Sequence, residues 1–110
     1  MPVRGGLRIP PLALRAKSWA DWGANLRAER LAPGAVLVFE REGVGHVGFY
    51  VGEDSTHYHV LGGNQDDAVT VARLARSRMI ASRWPKGAPV IGGPVRLSER
   101  AGVPVSRNEA

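Results

Sequence analysis

The feature that most constrains the fold is an alternating segment at residues 45–52, with the sequence GHVGFYVG. Large apolar side chains recur at every second position, so an extended strand would place Val47, Phe49 and Val51 on one face. The other face would carry His46, Gly48 and Tyr50. This alternation predicts a β-strand with one buried face.

Further strands are predicted on both sides of this segment. Residues 35–40 form a valine-rich run after the Pro33-Gly34 turn, and residues 57–61 end at consecutive glycines. Residues 53–56 are turn material, and residues 73–78 are predicted to be a helical turn or a connection. The remaining predicted strands are residues 68–72 and 79–84.

A short helix is predicted before the strands. Ser18 is a candidate N-cap followed by an acid three residues later, at Asp21. Trp19, Trp22 and Leu26 share one face at i, i+3 and i+7, although an intervening glycine limits the helix to two or three turns. The predicted fold class is therefore α+β: a short N-terminal helix followed by a small antiparallel sheet. Its predicted core includes Trp19, Trp22, Phe39 and Phe49.

The chain of 110 residues is long enough for one small domain. Residues 1–15 contain Gly-Gly and Pro-Pro pairs and are predicted to be an irregular N-terminal segment. Residues 16–85 are the predicted compact core. Residues 86–110 are predicted to be a flexible tail containing proline and glycine. No stretch approaches the roughly 18 apolar residues that a membrane span needs, and no signal peptide is recognised.

The formal net charge of +5 suits polyanionic partners, either nucleic acid or anionic wall polymers. A nucleic-acid interface would depend on the basic residues between positions 73 and 86. No recognised binding motif accompanies them and no aromatic residues are interleaved for stacking, so we favour a solvated basic face over a nucleic-acid partner. The basic residues in question are Arg73, Arg76, Arg78, Arg83 and Lys86.

A hairpin register gives the histidine of the alternating strand a possible catalytic role. If a five-residue loop joins the two strands, His46 lies directly opposite Asn64, and Gly48 lies opposite Gly62. Opposed residues share a face, so an imidazole and a carboxamide would lie side by side, as a general base and its orienting partner require. The same register pairs Gly52 with Tyr58 and Tyr50 with Val60. We predict that Gly48, Tyr50 and Gly62 line a substrate groove.

A three-histidine metal site is disfavoured by the same register. It places His59 opposite Val51, on the face away from His46, while His57 lies in the loop. Asp66 and Asp67 are interpreted as solvated turn residues. The chain has no cysteine, which excludes disulfides and thiolate metal sites. We expect no metal and no cofactor.

Four stretches together resemble a known family. They are Trp19-Ala-Asp-Trp-Gly23, Pro33-Gly-Ala-Val-Leu-Val-Phe39, residues 45–52, and Tyr58-His-Val-Leu-Gly-Gly-Asn-Gln65. Together with Arg76-Ser-Arg78 and Arg83-Trp-Pro85, they resemble the TIGR02594 family. That bacterial and phage group is similar to the NlpC/P60 and CHAP papain-like cysteine peptidases. The resemblance covers residues 16–85 and implies a papain-like core that degrades peptidoglycan.

Within this resemblance, His46 matches the catalytic base and Asn64 matches the polar third member. The family carries its nucleophilic cysteine on a helix before the Trp-x-x-Trp-Gly segment, and this sequence offers no equivalent. A serine hydroxyl ionises far less than a thiol, so Ser18 is no substitute. We therefore expect a truncated or thiol-less relative that is inactive as given, with peptidoglycan or its stem peptides as partner.

Two alternatives stay open at this stage: a non-catalytic wall-binding or phage structural module, and a basic nucleic-acid-binding protein. Without the cysteine helix, apolar sheet surface should be uncovered, which favours a protein partner or self-association. A false start at Met1 would produce the same absence. The resemblance implies a protein that is cytoplasmic until released, or phage-associated and acting at the cell wall.

Overall fold

The computed structural model describes residues 16–63 and 69–105, and these form a six-stranded antiparallel sheet. The strands follow the spatial order β1-β6-β2-β3-β4-β5. Three short 3₁₀ helices lie at Ala16–Asp21, Ala28–Arg30 and Arg76–Arg78. The strands are β1 Ala24–Asn25, β2 Val36–Arg41, β3 Val44–Glu53, β4 His57–Gly63, β5 Val69–Ala75 and β6 Met79–Trp84.

The predicted N-terminal helix is wrong, and with it the α+β class: the described residues contain only 3₁₀ turns beside the sheet. Ala16–Asp21 is a six-residue 3₁₀ helix. Gly23 ends it with a φ of 64°, and a side chain there would collide with the Trp84 carbonyl. Because residues i and i+3 align in a 3₁₀ helix, Trp19 and Trp22 still meet, with ring centroids 5.3 Å apart.

The five predicted strands are confirmed as β2 to β6, with small shifts at their ends. The two-residue strand β1 was not predicted. It pairs with β6, and β6 in turn pairs with β2. The last strand of the sequence is thereby inserted between the first and the second.

The sheet buries side chains on both faces. The larger cluster lies on what we call the core face, where Phe39 of β2, Tyr50 of β3 and Tyr58 of β4 pack together. The opposite face, the tryptophan face, holds Trp19 against Val36 and Val38. The core-face cluster comprises Leu26, Leu31, Ala35, Leu37, Phe39, Tyr50, Tyr58 and Val60.

Residues 95–104, which we call the strap, run beside the end of β3. The Glu53 amide donates to the Val95 carbonyl, and the Leu97 amide donates to the Glu53 carbonyl, each at 2.8 Å. Leu97 is buried and lies against Gly52. This part of the predicted flexible tail therefore packs on the sheet.

Candidate functional site

An apolar groove lies on the tryptophan face, beside the middle of β3. Its volume is about 190 Å³. Phe49, which we predicted to be a core residue, is instead 50% exposed here, and Val69 of β5 is also exposed. Among the residues that the structure describes, no charged side chain lines the groove. The lining residues are Trp19, Val36, Val47, Gly48, Phe49, Leu61, Gly62 and Val69.

His46, the predicted base, lies near the start of β3 and pairs with Phe39 of β2. Its side chain is exposed, and within residues 16–63 and 69–105 it has no hydrogen-bond or ion-pair partner. Val47, the next residue along β3, lines the groove. His46 is therefore available to a ligand close to the groove, but on the opposite face of the strand by alternation.

Asn64, the predicted orienting partner of His46, lies outside the described residues. The predicted register is confirmed at Tyr50, which pairs with Val60. It is wrong at the loop end of the hairpin, because an irregularity between Tyr50 and Gly52 makes Gly52 face His59 rather than Tyr58.

The three residues predicted to line a substrate groove separate into two groups. Gly48 and Gly62 border the apolar groove, which lies on the face opposite His46 and not on the face predicted for a substrate groove. Tyr50 does not border it, because it is fully buried on the core face. Its hydroxyl donates to Glu53 Oε1 at 2.7 Å and accepts from the Val95 amide at 3.0 Å. Burial raises the pKa of the Tyr50 hydroxyl well above its ordinary value, so Tyr50 is a neutral anchor for the strap.

A polar cluster that the sequence did not reveal is centred on buried Asp54, in the turn between β3 and β4. Asp54 Oδ2 accepts from Arg73 Nε at 2.8 Å and lies 2.7 Å from His59 Nε2. Its Oδ1 accepts from the backbone amides of Thr56 and His57, each at 3.0 Å. The hydrogen bond from Arg73 is the main reason that the pKa of Asp54 lies far below its ordinary value.

The hydrogen bonds of His59 define its tautomer. The Gly102 amide donates to His59 Nδ1 at 2.8 Å, so Nδ1 carries no proton. Nε2 then carries the proton and donates to Asp54. Both ring nitrogens are occupied and the residue is fully buried, so His59 has no free nitrogen for a substrate. It lies opposite Gly52, not Val51 as predicted.

His57 is the first residue of β4, as the strand prediction for residues 57–61 has it, and does not belong to the five-residue loop that the hairpin register assumed. Its Nδ1 lies 2.7 Å from the Thr56 hydroxyl and 3.1 Å from Arg73 Nη2. Across the described part of the chain, no three histidine, aspartate or glutamate side chains converge in a way that would hold a metal ion.

The basic residues considered for nucleic-acid binding are largely engaged inside the protein. Arg73 binds Asp54, and Arg76 binds Glu53 Oε2 at 2.8 Å. Arg76 also lies 4.9 Å from the centre of the Tyr58 ring. Arg83 donates to the backbone carbonyls of the residues that precede β1. These charges are partly neutralised or directed inward, which disfavours a continuous phosphate-binding surface.

Comparisons with known proteins assign no family. No protein-family model matches the sequence, and no match was found among curated proteins or solved structures. The resemblance to the papain-like peptidases thus stays a prediction. Among the described residues, no helix has the length and apolar character to cross a membrane.

Proposed function

We propose that this chain is a thiol-less relative of the papain-like peptidoglycan peptidases and amidases. It supplies the sheet and the histidine of the site, and it does not hydrolyse peptidoglycan by itself. The nucleophile would come from a cysteine-bearing helix on a different polypeptide segment, because none of the 110 residues is a cysteine. This proposal combines the resemblance of residues 16–85 with the site geometry.

The observation that carries the proposal is the apolar groove on β3. Phe49 and Val69 are large and exposed there, and none of the described lining residues carries a charge. The buried indole N–H of Trp19 finds no acceptor among the described residues, so one hydrogen bond is left unmade beside the groove. A glycan needs hydrogen-bond partners, whereas the apolar side of a helix needs contacts of this kind. The lining therefore favours a docked helix over direct glycan binding.

His46 fits the role of a general base. It is exposed near the start of β3, on the face opposite the groove, and has no partner in the described part of the chain, so its ring nitrogens are open to a nucleophile that reaches it past the end of the strand. The sequence contains no cysteine, and a hydroxyl group ionises far less than a thiol near neutral pH. A base without a nucleophile gives no covalent catalysis.

The test compares the chain with a fusion that carries a family cysteine helix before residue 16. Release of soluble fragments from purified peptidoglycan is measured for both. We expect none from the chain alone and measurable release from the fusion. His46→Ala in the fusion should reduce the rate by about 10²-fold or more. His57→Ala, at another partly exposed histidine, is the matched control and should retain most of the activity.

A folded fusion without activity would contradict the proposal. If the unmodified chain then co-sedimented with peptidoglycan, and His46→Ala left that binding intact, the non-catalytic wall-binding module would be the better description. Circular dichroism and thermal melting of each protein separate loss of activity from loss of fold.

A further inference from the structure

The contact between His59 and the strap differs in kind from the other strap contacts. The strap is held by backbone pairing with Glu53, by the Tyr50 hydroxyl and by burial of Leu97. None of these requires a group that changes charge near neutral pH. The Gly102 amide, in contrast, donates to His59 Nδ1, which accepts only while the imidazole is neutral.

Charged groups from several elements surround His59. Asp54 lies in the turn before β4, 2.7 Å from His59 Nε2, and His57 is the first residue of β4. Arg73 of β5 lies opposite His59 in the strand register. The strap itself carries Arg96, Glu99 and Arg100, and the charge of Glu99 acts on Arg73. Asp54 is ionised and already paired with the partly exposed Arg73, so the pair is close to neutral before His59 gains a proton.

A proton on His59 changes one contact from favourable to unfavourable. The new Nδ1–H would point at the Gly102 N–H, and two donors cannot form a hydrogen bond. The extra positive charge would also be enclosed at a site where Asp54 already binds Arg73. Movement of the end of the strap away from His59 would remove the unfavourable contact between the two donors. This movement is possible because Gly102 lies in an exposed turn.

We propose that His59 is a pH-sensitive latch for the strap, closed while the imidazole is neutral and opened by its protonation. Opening detaches the strap around Gly102 and uncovers Val71, which Gly102 approaches. Val71 pairs with Leu61, a groove residue, so the two share a face of the sheet. The open latch therefore extends the apolar groove along β5, from Val69 to Val71. This inference does not depend on the proposed hydrolase relationship.

The test is an NMR titration of the ¹⁵N-labelled full chain between about pH 8 and pH 5, the range in which imidazoles titrate. The His59 ring nitrogens report protonation, and amide exchange, corrected for its intrinsic pH dependence, reports the strap. We expect the protection of the Gly102 amide to fall about tenfold as His59 is protonated. The Val60 amide of β4 should keep its protection.

Three results would overturn the latch. Gly102 protection could stay constant while His59 titrates, or Gly102 and Val60 could lose protection together, which is global unfolding. The third is a His59 ring that stays neutral down to pH 5. Each is visible in the unmodified protein, so the test does not depend on a variant that folds.

Two variants sharpen the assignment. His59→Asn places a non-titrating amide oxygen near the position of Nδ1, so Gly102 protection should become independent of pH. His57→Gln removes the neighbouring histidine and should leave the wild-type pH dependence. A His59→Asn protein that keeps the wild-type dependence would assign the effect to another group and overturn the proposal.

Discussion

His59 and His46 occupy opposite ends of the β3–β4 hairpin and have contrasting surroundings. His59 is fully buried, and both of its ring nitrogens are hydrogen-bonded, one to Asp54 and one to Gly102. His46 is exposed and, among the described residues, has no partner. The contrast shows that a dense hydrogen-bond network marks the structural histidine, and that the histidine without partners is the one available to a ligand.

The stability of the protein should be most sensitive to mutation at the His59 end of the hairpin, where the side chains are hydrogen-bonded to one another. Asp54→Ala removes the acceptor shared by Arg73 and His59 and leaves their donors without a partner. We expect the free energy of unfolding to fall by about 3–5 kcal/mol, measured by urea denaturation. Asp21→Ala, at an exposed carboxylate, is the control and should change it by less than about 0.5 kcal/mol. Similar small losses for both variants would show that the network contributes little.

Acid should reduce the stabilisation that Asp54 provides at the same end of the hairpin. The folded-state pKa of Asp54 is depressed, so its stabilising effect is complete above the unfolded pKa of about 3.9. As the pH falls further, the unfolded chain takes up the proton first and stability declines. We expect the free energy of unfolding to fall by about 2 kcal/mol between pH 5 and pH 2. Urea denaturation at a series of pH values measures this fall. Asp54→Asn should flatten this decline; an unchanged slope would assign it to other carboxylates.

Alanine substitution at two glycines tests how tightly the strap and the groove are packed. A Cβ at Gly52 would lie 2.6 Å from Leu97 Cγ, whereas a Cβ at Gly62 would meet its nearest atom, the Val47 carbonyl oxygen, at 3.6 Å. Gly52→Ala should therefore cost about 1–3 kcal/mol and loosen the strap, and Gly62→Ala should be close to neutral. Thermal unfolding of both variants checks this. Equal melting temperatures would mean that Leu97 relocates freely.

The smallest effect is expected at the exposed histidine. His46→Ala should change the free energy of unfolding by less than about 0.5 kcal/mol, because the exposed side chain makes no hydrogen bond or ion pair among the described residues. Denaturant titration beside His59→Ala, which should be clearly destabilised, completes the comparison. A large cost at His46 would mean that its role is structural and would remove the main support for a base at this position.

The strands were predictable from the sequence because apolar alternation indicates extended backbone, but in β3 it did not indicate the buried face: Tyr50 is buried and Phe49 is exposed. The register was predictable only in part. Tyr50 pairs with Val60 as expected, but apolar alternation continues through Val51 and gives no sign of the irregularity that brings Gly52 opposite His59. Likewise, the spacing of Trp19 and Trp22 reports their proximity and not the type of helix.

The candidate site was predictable only where a single residue carries it. An exposed histidine on a glycine-flanked strand follows from local pattern. Asp54 has the ordinary sequence context of a turn residue, and its partner Arg73 is 19 positions away. The strap was hidden for the same reason: proline and glycine predict irregular backbone, and they do not show that Leu97 is buried against the sheet.

The position of β6 has a consequence for how the protein folds. β6 ends at Trp84 yet pairs with both β1 and β2, and Arg83 donates to the Trp22 carbonyl across 61 positions. Closing so long a loop must precede these contacts, which slows folding relative to a simple meander. During synthesis, β2 to β5 can form hairpins as they emerge, but one edge of β2 stays unpaired until Trp84 leaves the ribosome. That interval is when the nascent chain is most exposed to aggregation.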